Sequence, residues 1–120
     1  MKAERFEDLN IYKEARVLAK DIYEISRLPG FEKDFYLVGQ IRRSAVSIMS
    51  NIAEGFERKG DKEFSQFLFI AKGSCGELRA QMDIIMDQGY VKDAPYKSIR
   101  NKSEKLNSMI SNLIKYLRVK

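Results

Sequence analysis

The chain has no histidine and no tryptophan, a single cysteine (Cys75) and two prolines. Each shortage excludes something. Without histidine the chain lacks the commonest general base and the commonest metal ligand. One cysteine and no histidine cannot assemble a zinc site, so a carboxylate-only magnesium site is the one metal site the composition still allows. A lone cysteine cannot build an internal disulfide framework, which agrees with a reducing compartment. Few prolines and seven glycines in 120 residues suit long helices better than many short strands joined by turns. No stretch approaches the roughly 18–20 apolar residues of a membrane span. The opening MKAERFEDLN is charged where a signal peptide would be apolar. The expectation is a cytoplasmic protein without metal, cofactor or membrane partner.

What is present is ordinary for a globular chain: 44% hydrophobic and 32% charged residues. The length fits one domain, residues 1–120, with one core. The net charge of +5 is unevenly spread. Residues 1–28 carry six basic and six acidic groups, whereas residues 91–120 carry eight basic and two acidic. The basic surplus therefore reads as a property of the last segment.

Four segments show the helical period. From about Asp8 to Leu28, Ile11, Ala15, Leu18, Ile22 and Ile25 recur at steps of three and four. Leu28-Pro29-Gly30 ends that segment. From about Glu32 to Glu57 the stripe is Val38, Ile41, Ala45, Ile48 and Ile52, and Arg58-Lys59-Gly60 marks the exit. From about Lys62 to Gln88 it is Phe64, Leu68, Ala71, Cys75, Leu78, Met82 and Ile85, with Asp61 as cap and Gly89 as stop. The fourth segment follows Asp93, with Pro95 in its first turn, and aligns Ile99, Leu106, Ile110, Leu113 and Leu117. Four amphipathic rods with short connections predict an all-α fold, an antiparallel up-and-down four-helix bundle.

Two of these helices look buried on more than one side. Ser44 to Ala53 carries no charge, and Gln40, Ser44, Ser47, Asn51 and Glu54 recur opposite the core stripe, where Lys and Glu are usual on a solvated face. In the third helix Phe69, Gly73 and Gly76 also lie off the stripe, near Glu77. Each helix-interior glycine costs about 1 kcal/mol relative to alanine, which suggests close backbone approach. Either these faces pack within the monomer, or they form a self-association surface in which Glu54 pairs with an arginine such as Arg43.

On the fourth helix Lys97, Arg100, Lys115 and Arg118 share one face, with Lys102 and Lys105 beside it. Arg42, Arg43, Arg58 and Lys59 extend the set. Such cations can hold phosphates without reading bases; the alternative is a solvated face with structural arginines. A scaffold that binds a partner enzyme is the second functional reading. Catalysis is the weakest, because Glu54 and Glu77 are the best available carboxylate pair and no nucleophile with a partner accompanies them. The expectation is a protein that is not an enzyme.

At these residues the chain resembles a family: the bacterial four-helix-bundle proteins encoded within intervening sequences of 23S ribosomal RNA genes. The resemblance rests on Phe6-Glu7-Asp8-Leu9 with Tyr12, Ala15 and Arg16. It continues through QIRRSAVSIMSNIAEG from Gln40 to Gly55, then Phe56 and Arg58. Glu63-Phe64, Phe67-Leu68, Ala71, Gly73-Ser74 and Glu77-Leu78 follow. The resemblance implies a bundle that assembles into rings, often pentamers, with a role presumed at ribosomal RNA or at the encoding element. A related accessory protein of diversity-generating retroelements is linked to nucleic acid and a reverse transcriptase, which implies RNA, DNA or such an enzyme as partner.

Overall fold

The computed structural model describes residues 3–119. Four helices account for about four-fifths of them: α1 (Asn10–Ile25), α2 (Phe35–Glu57), α3 (Asp61–Asp87) and α4 (Asp93–Val119). Short 3-10 turns at Phe6–Asp8 and Phe31–Lys33 precede α1 and α2. Among the described residues there is no strand. The helices pack as a ring of neighbours, α1 on α2, α2 on α3, α3 on α4 and α4 back on α1. The expected antiparallel up-and-down bundle is thus the observed one, and it measures 47 × 20 × 20 Å.

The ends of the helices follow local chemistry. Asp34 caps α2, its carboxylate accepting the Leu37 N–H at 3.1 Å. Beyond α3, Gly89 takes a left-handed φ of 74°. This lets the Tyr90 N–H reach the Ile85 carbonyl at 3.1 Å and the Gly89 N–H reach Met86 at 2.9 Å. At the exit of α2 it is Lys59, not Gly60, that is left-handed, with φ 64°. Gly60 occupies the cap of α3, and Asp61, expected there, is already the first helical residue.

Two boundaries depart from the periodicity. Helix α1 is 16 residues long, shorter than expected, because Asp8 belongs to the preceding turn and the chain leaves the helix before Leu28-Pro29. Helix α2 starts at Phe35 rather than Glu32, because Phe31–Lys33 forms a turn that drives Phe31 into the core. There its ring stacks on Tyr90 at 5.1 Å between centroids. The Tyr90 hydroxyl donates to Asp34 at 3.0 Å, which pushes the phenol above its usual range.

The expected stripes form the core almost throughout. Leu18, Ile22, Ile41, Ile48, Leu68, Leu78, Met82 and Leu106 are fully enclosed. In α2 Leu37 is buried and Val38 only half-buried. In α4 Ile114 is buried and Leu113 half-buried, because the steps Ile110–Ile114–Leu117 keep to the inner face.

Cys75 lies on this inner face with no exposed surface. Burial pushes its thiol up to about 11, against smaller opposing effects from Arg79 and Ser103. The folded protein is therefore expected to leave Cys75 unreactive toward a disulfide reagent at pH 8. In urea one thiol per chain should react. Rapid labelling of the native state would contradict the packing described.

Candidate nucleic-acid interface

The fourth-helix cations do not form one free ridge. The Arg100 guanidinium donates to Asp83 on α3 at 2.9 Å and to the Arg79 carbonyl at 3.2 Å, and lies 3.8 Å from Glu104. Tyr96 donates to the same Asp83 oxygen at 2.7 Å. Lys102 pairs with Asp21 of α1, and Lys105 lies 3.8 Å from Glu14 of α1. These three cations tie α4 to its neighbours. Lys97, Lys115 and Arg118 remain exposed, with no ion pair formed among the described residues. Lys97 and Arg118 are 21 residues apart, so roughly 32 Å separates the two ends of that set.

The helix-two cations divide likewise. Arg42 donates from Nε to Ser26 at 2.8 Å, and its guanidinium lies 4.4 Å above the Tyr23 ring. Arg58 is held by Glu54 at 2.8 Å and Glu63 at 3.6 Å. Glu54 therefore pairs with Arg58, one helical turn away, and not with Arg43, which is three turns distant along the same helix. Arg43 and Lys59 are exposed.

The small polar residues of α2 lie in the seam with α3 of the same chain, not opposite the core. Ser44 is buried and donates to Gln81 at 2.8 Å, with the Gln40 carbonyl at 3.2 Å. Ser47 meets Ser74 at 2.8 Å, and the Asn51 amide donates to the Ser47 carbonyl at 2.8 Å. Serine fits here because a short side chain lets two backbones approach while its hydroxyl finds a partner. The closest approach, however, is at Gly55 rather than at Gly73 or Gly76. A Cβ on Gly55 would stand 2.7 Å from that of Phe67, whereas Gly73 has nothing within 4 Å and Gly76 only an arginine tip at 3.9 Å.

The outer side of α3 is a different surface. Phe69 (47% exposed), Ile70 (52%) and Ile84 (50%) flank Gly73 and Ala80. Glu77, Asp83 and Asp87 share this row with one cation, Lys62. The seam pairings also set Glu77 beside residues 44–47, so it stands about two turns, roughly 12 Å, from Glu54. The best carboxylate pair is not brought together. Among the described residues no cluster of three or more cysteines, aspartates or glutamates is placed to hold a metal.

Helix α1 carries what sequence reasoning overlooked. Its acids Glu14 and Asp21 face α4. Its cations Lys13, Arg16 and Lys20, with Arg27 in the turn after the helix, are exposed along the groove between α1 and α2. None of the four forms an ion pair among the described residues. Six basic and six acidic residues cancel when counted along the segment, which hid the row. The i, i+3, i+7, i+14 spacing was the available signal.

With the fold and this charge distribution in place, the relatives can be compared. The sequence profile of the 23S rRNA-intervening sequence proteins matches residues 7–112. The chain belongs to that family. The match takes in the whole α1 row and stops short of Lys115 and Arg118. This intervening-sequence protein is also similar to a protein of unknown function from the S23 ribosomal protein family of Bacteroides thetaiotaomicron, solved at 1.70 Å. The two share 26% identity and a TM-score of 0.81, over 88% of this chain and 98% of the other. No curated protein matches. Among the described residues no helix is long and apolar enough to cross a membrane.

Proposed function

We propose that this intervening-sequence protein is a non-enzymatic, self-associating protein that binds RNA through its phosphates. The observation that carries the reading is a surplus of cations without counter-charge. Arg43, Lys59, Lys97, Lys115 and Arg118 stay exposed and without an ion pair among the described residues, whereas Arg42, Arg58, Arg100, Lys102 and Lys105 each have a side-chain partner. Phosphate contact of this kind is tolerant of sequence and falls steeply with salt. Self-association, with the pentamer as its expected form, is supported by the half-exposed Phe69, Ile70 and Ile84 on α3. Repetition around a ring multiplies a weak phosphate contact.

The same apolar row favours the second reading, a scaffold whose α3 face receives a partner protein. One pair of measurements separates the two. A labelled 23S rRNA hairpin is titrated with protein between about 50 and 200 mM salt, and the affinity is expected to fall by two or more orders of magnitude over that range. Sedimentation at micromolar concentration is expected to show a species larger than one chain. Absence of RNA binding at the lowest salt would sink the RNA reading and favour the scaffold. A strict monomer would remove the ring.

A further inference from the structure

We propose that the outer face of α1 is the RNA contact of this protein, with Lys13, Arg16, Lys20 and Arg27 holding the phosphate backbone. The inference rests on the RNA-binding reading above and moves its centre from α4 to α1.

The arrangement follows from how α1 distributes its charge. Glu14 and Asp21 turn toward Lys105 and Lys102 of α4, which consumes two acids of α1 and two cations of α4. What remains outward is a row of four cations, Lys13, Arg16 and Lys20 on α1 and Arg27 in the turn after it, with Glu24 at its edge. Lys13, Arg16 and Lys20 lie within about 60° of helix circumference over roughly 11 Å, and Arg27 stands beyond the helix end. All four are exposed, and none of their side chains forms an ion pair or hydrogen bond with another described residue. Glu24 is the one acid along this face, and the row keeps a positive surplus.

The geometry selects a polyanion. A nucleic-acid duplex presents a dense, regular line of phosphates that a row of cations can follow. An acidic helix would need apolar anchors at helical spacing alongside the charges. Here the aliphatic lining is half-exposed Val17, half-buried Met49 and the short Ala19, not a row of large anchors. Base stacking has no platform on this face, because the Tyr23 ring is covered by Arg42. The contact is thus to backbone, with little dependence on sequence.

The test compares two charge-matched variants of the full chain. One carries Lys13→Gln, Arg16→Gln, Lys20→Gln and Arg27→Gln. The other carries Lys33→Gln, Lys62→Gln, Lys72→Gln and Lys92→Gln, cations outside both sets. Each removes four positive charges from a net of +5. Binding to an RNA duplex of about 20 base pairs is measured by fluorescence anisotropy across a salt series, with circular dichroism melts to verify folding. The α1 variant is expected to bind at least about tenfold more weakly at 100 mM salt. Its plot of log affinity against log salt should be shallower by about 3, since each lost phosphate contact removes just under one unit of slope. The other variant should stay within a few-fold of the unaltered protein. If instead the α1 variant binds normally and the other loses binding, the inference falls while the RNA reading stands. If the unaltered protein fails to bind RNA at low salt, both fall. Binding to phosphatidylserine vesicles with no binding to RNA would overturn the choice of polyanion.

Discussion

Replacing Phe31 with alanine is expected to cost about 3–5 kcal/mol, the usual range for removing a fully enclosed aromatic side chain. Phe31 has no exposed surface, although it sits in the connection between α1 and α2. Its ring stacks on Tyr90 from the connection after α3, and Tyr90 in turn holds Asp34, the cap of α2. One side chain therefore fastens two connections and a helix start at the same end of the bundle. Domains of this size are stable by about 5–15 kcal/mol, so the loss is a large fraction of the total. The melting temperature should fall by on the order of 10–20 °C. The comparison is Phe35→Ala four residues away, which removes a ring that is 82% exposed and should change stability by less than about 0.5 kcal/mol. Urea denaturation of both variants checks this; equal midpoints would mean that Phe31 does not anchor the connection.

A second large effect is expected at Gly55, with a sign opposite to helix propensity. Alanine is the better helix former by about 1 kcal/mol. At Gly55, however, the added methyl would stand 2.7 Å from the Phe67 Cβ and 3.0 Å from the Phe64 ring. A Cβ is fixed to its backbone, so α2 and α3 must move apart rather than a side chain rotate. Overpacking of this kind costs about 1–3 kcal/mol, and a larger residue such as leucine should prevent the native packing altogether. Gly55→Ala is expected to lower stability by about 2 kcal/mol. Gly39→Ala and Gly73→Ala, where nothing lies within 4 Å, should raise it by up to about 1 kcal/mol. Three denaturation curves decide the matter. A stabilised Gly55→Ala protein would contradict the close crossing of α2 and α3.

These residues also show how far the sequence alone reaches. The helix stripes were legible because burial repeats every three to four residues, and nearly every residue so aligned is in the core. Phe31 was not, since a single buried residue in a turn has no period. Gly55 was passed over in favour of Gly73 and Gly76 because composition reveals a glycine but not the distance to the next helix. The polar seam was legible as unusual but placed on the wrong side: Ser44 and Ser47 face Gln81 and Ser74, partners that only the antiparallel register brings opposite. The pairing of three α4 cations was hidden for the same reason. Helical spacing locates Arg100, Lys102 and Lys105 on a surface, but Asp83, Asp21 and Glu14 come from other helices. Neutralisation is a tertiary fact.

The placement of α1 and α3 at opposite corners of the bundle has an electrical consequence. One long edge carries Lys13, Arg16, Lys20 and Arg27; the far edge carries Glu77 and Asp87 against the single cation Lys62 in the outer row of α3, Asp83 being paired with Arg100. The molecule is thus polarised across its 20 Å width rather than along its 47 Å length. In the field of a highly charged polymer such a body experiences a torque as well as an attraction, and it approaches already turned to one side. The turning acts only within about a Debye length, near 10 Å at 0.1 M salt. Raising the salt should therefore slow capture before it weakens what has been captured.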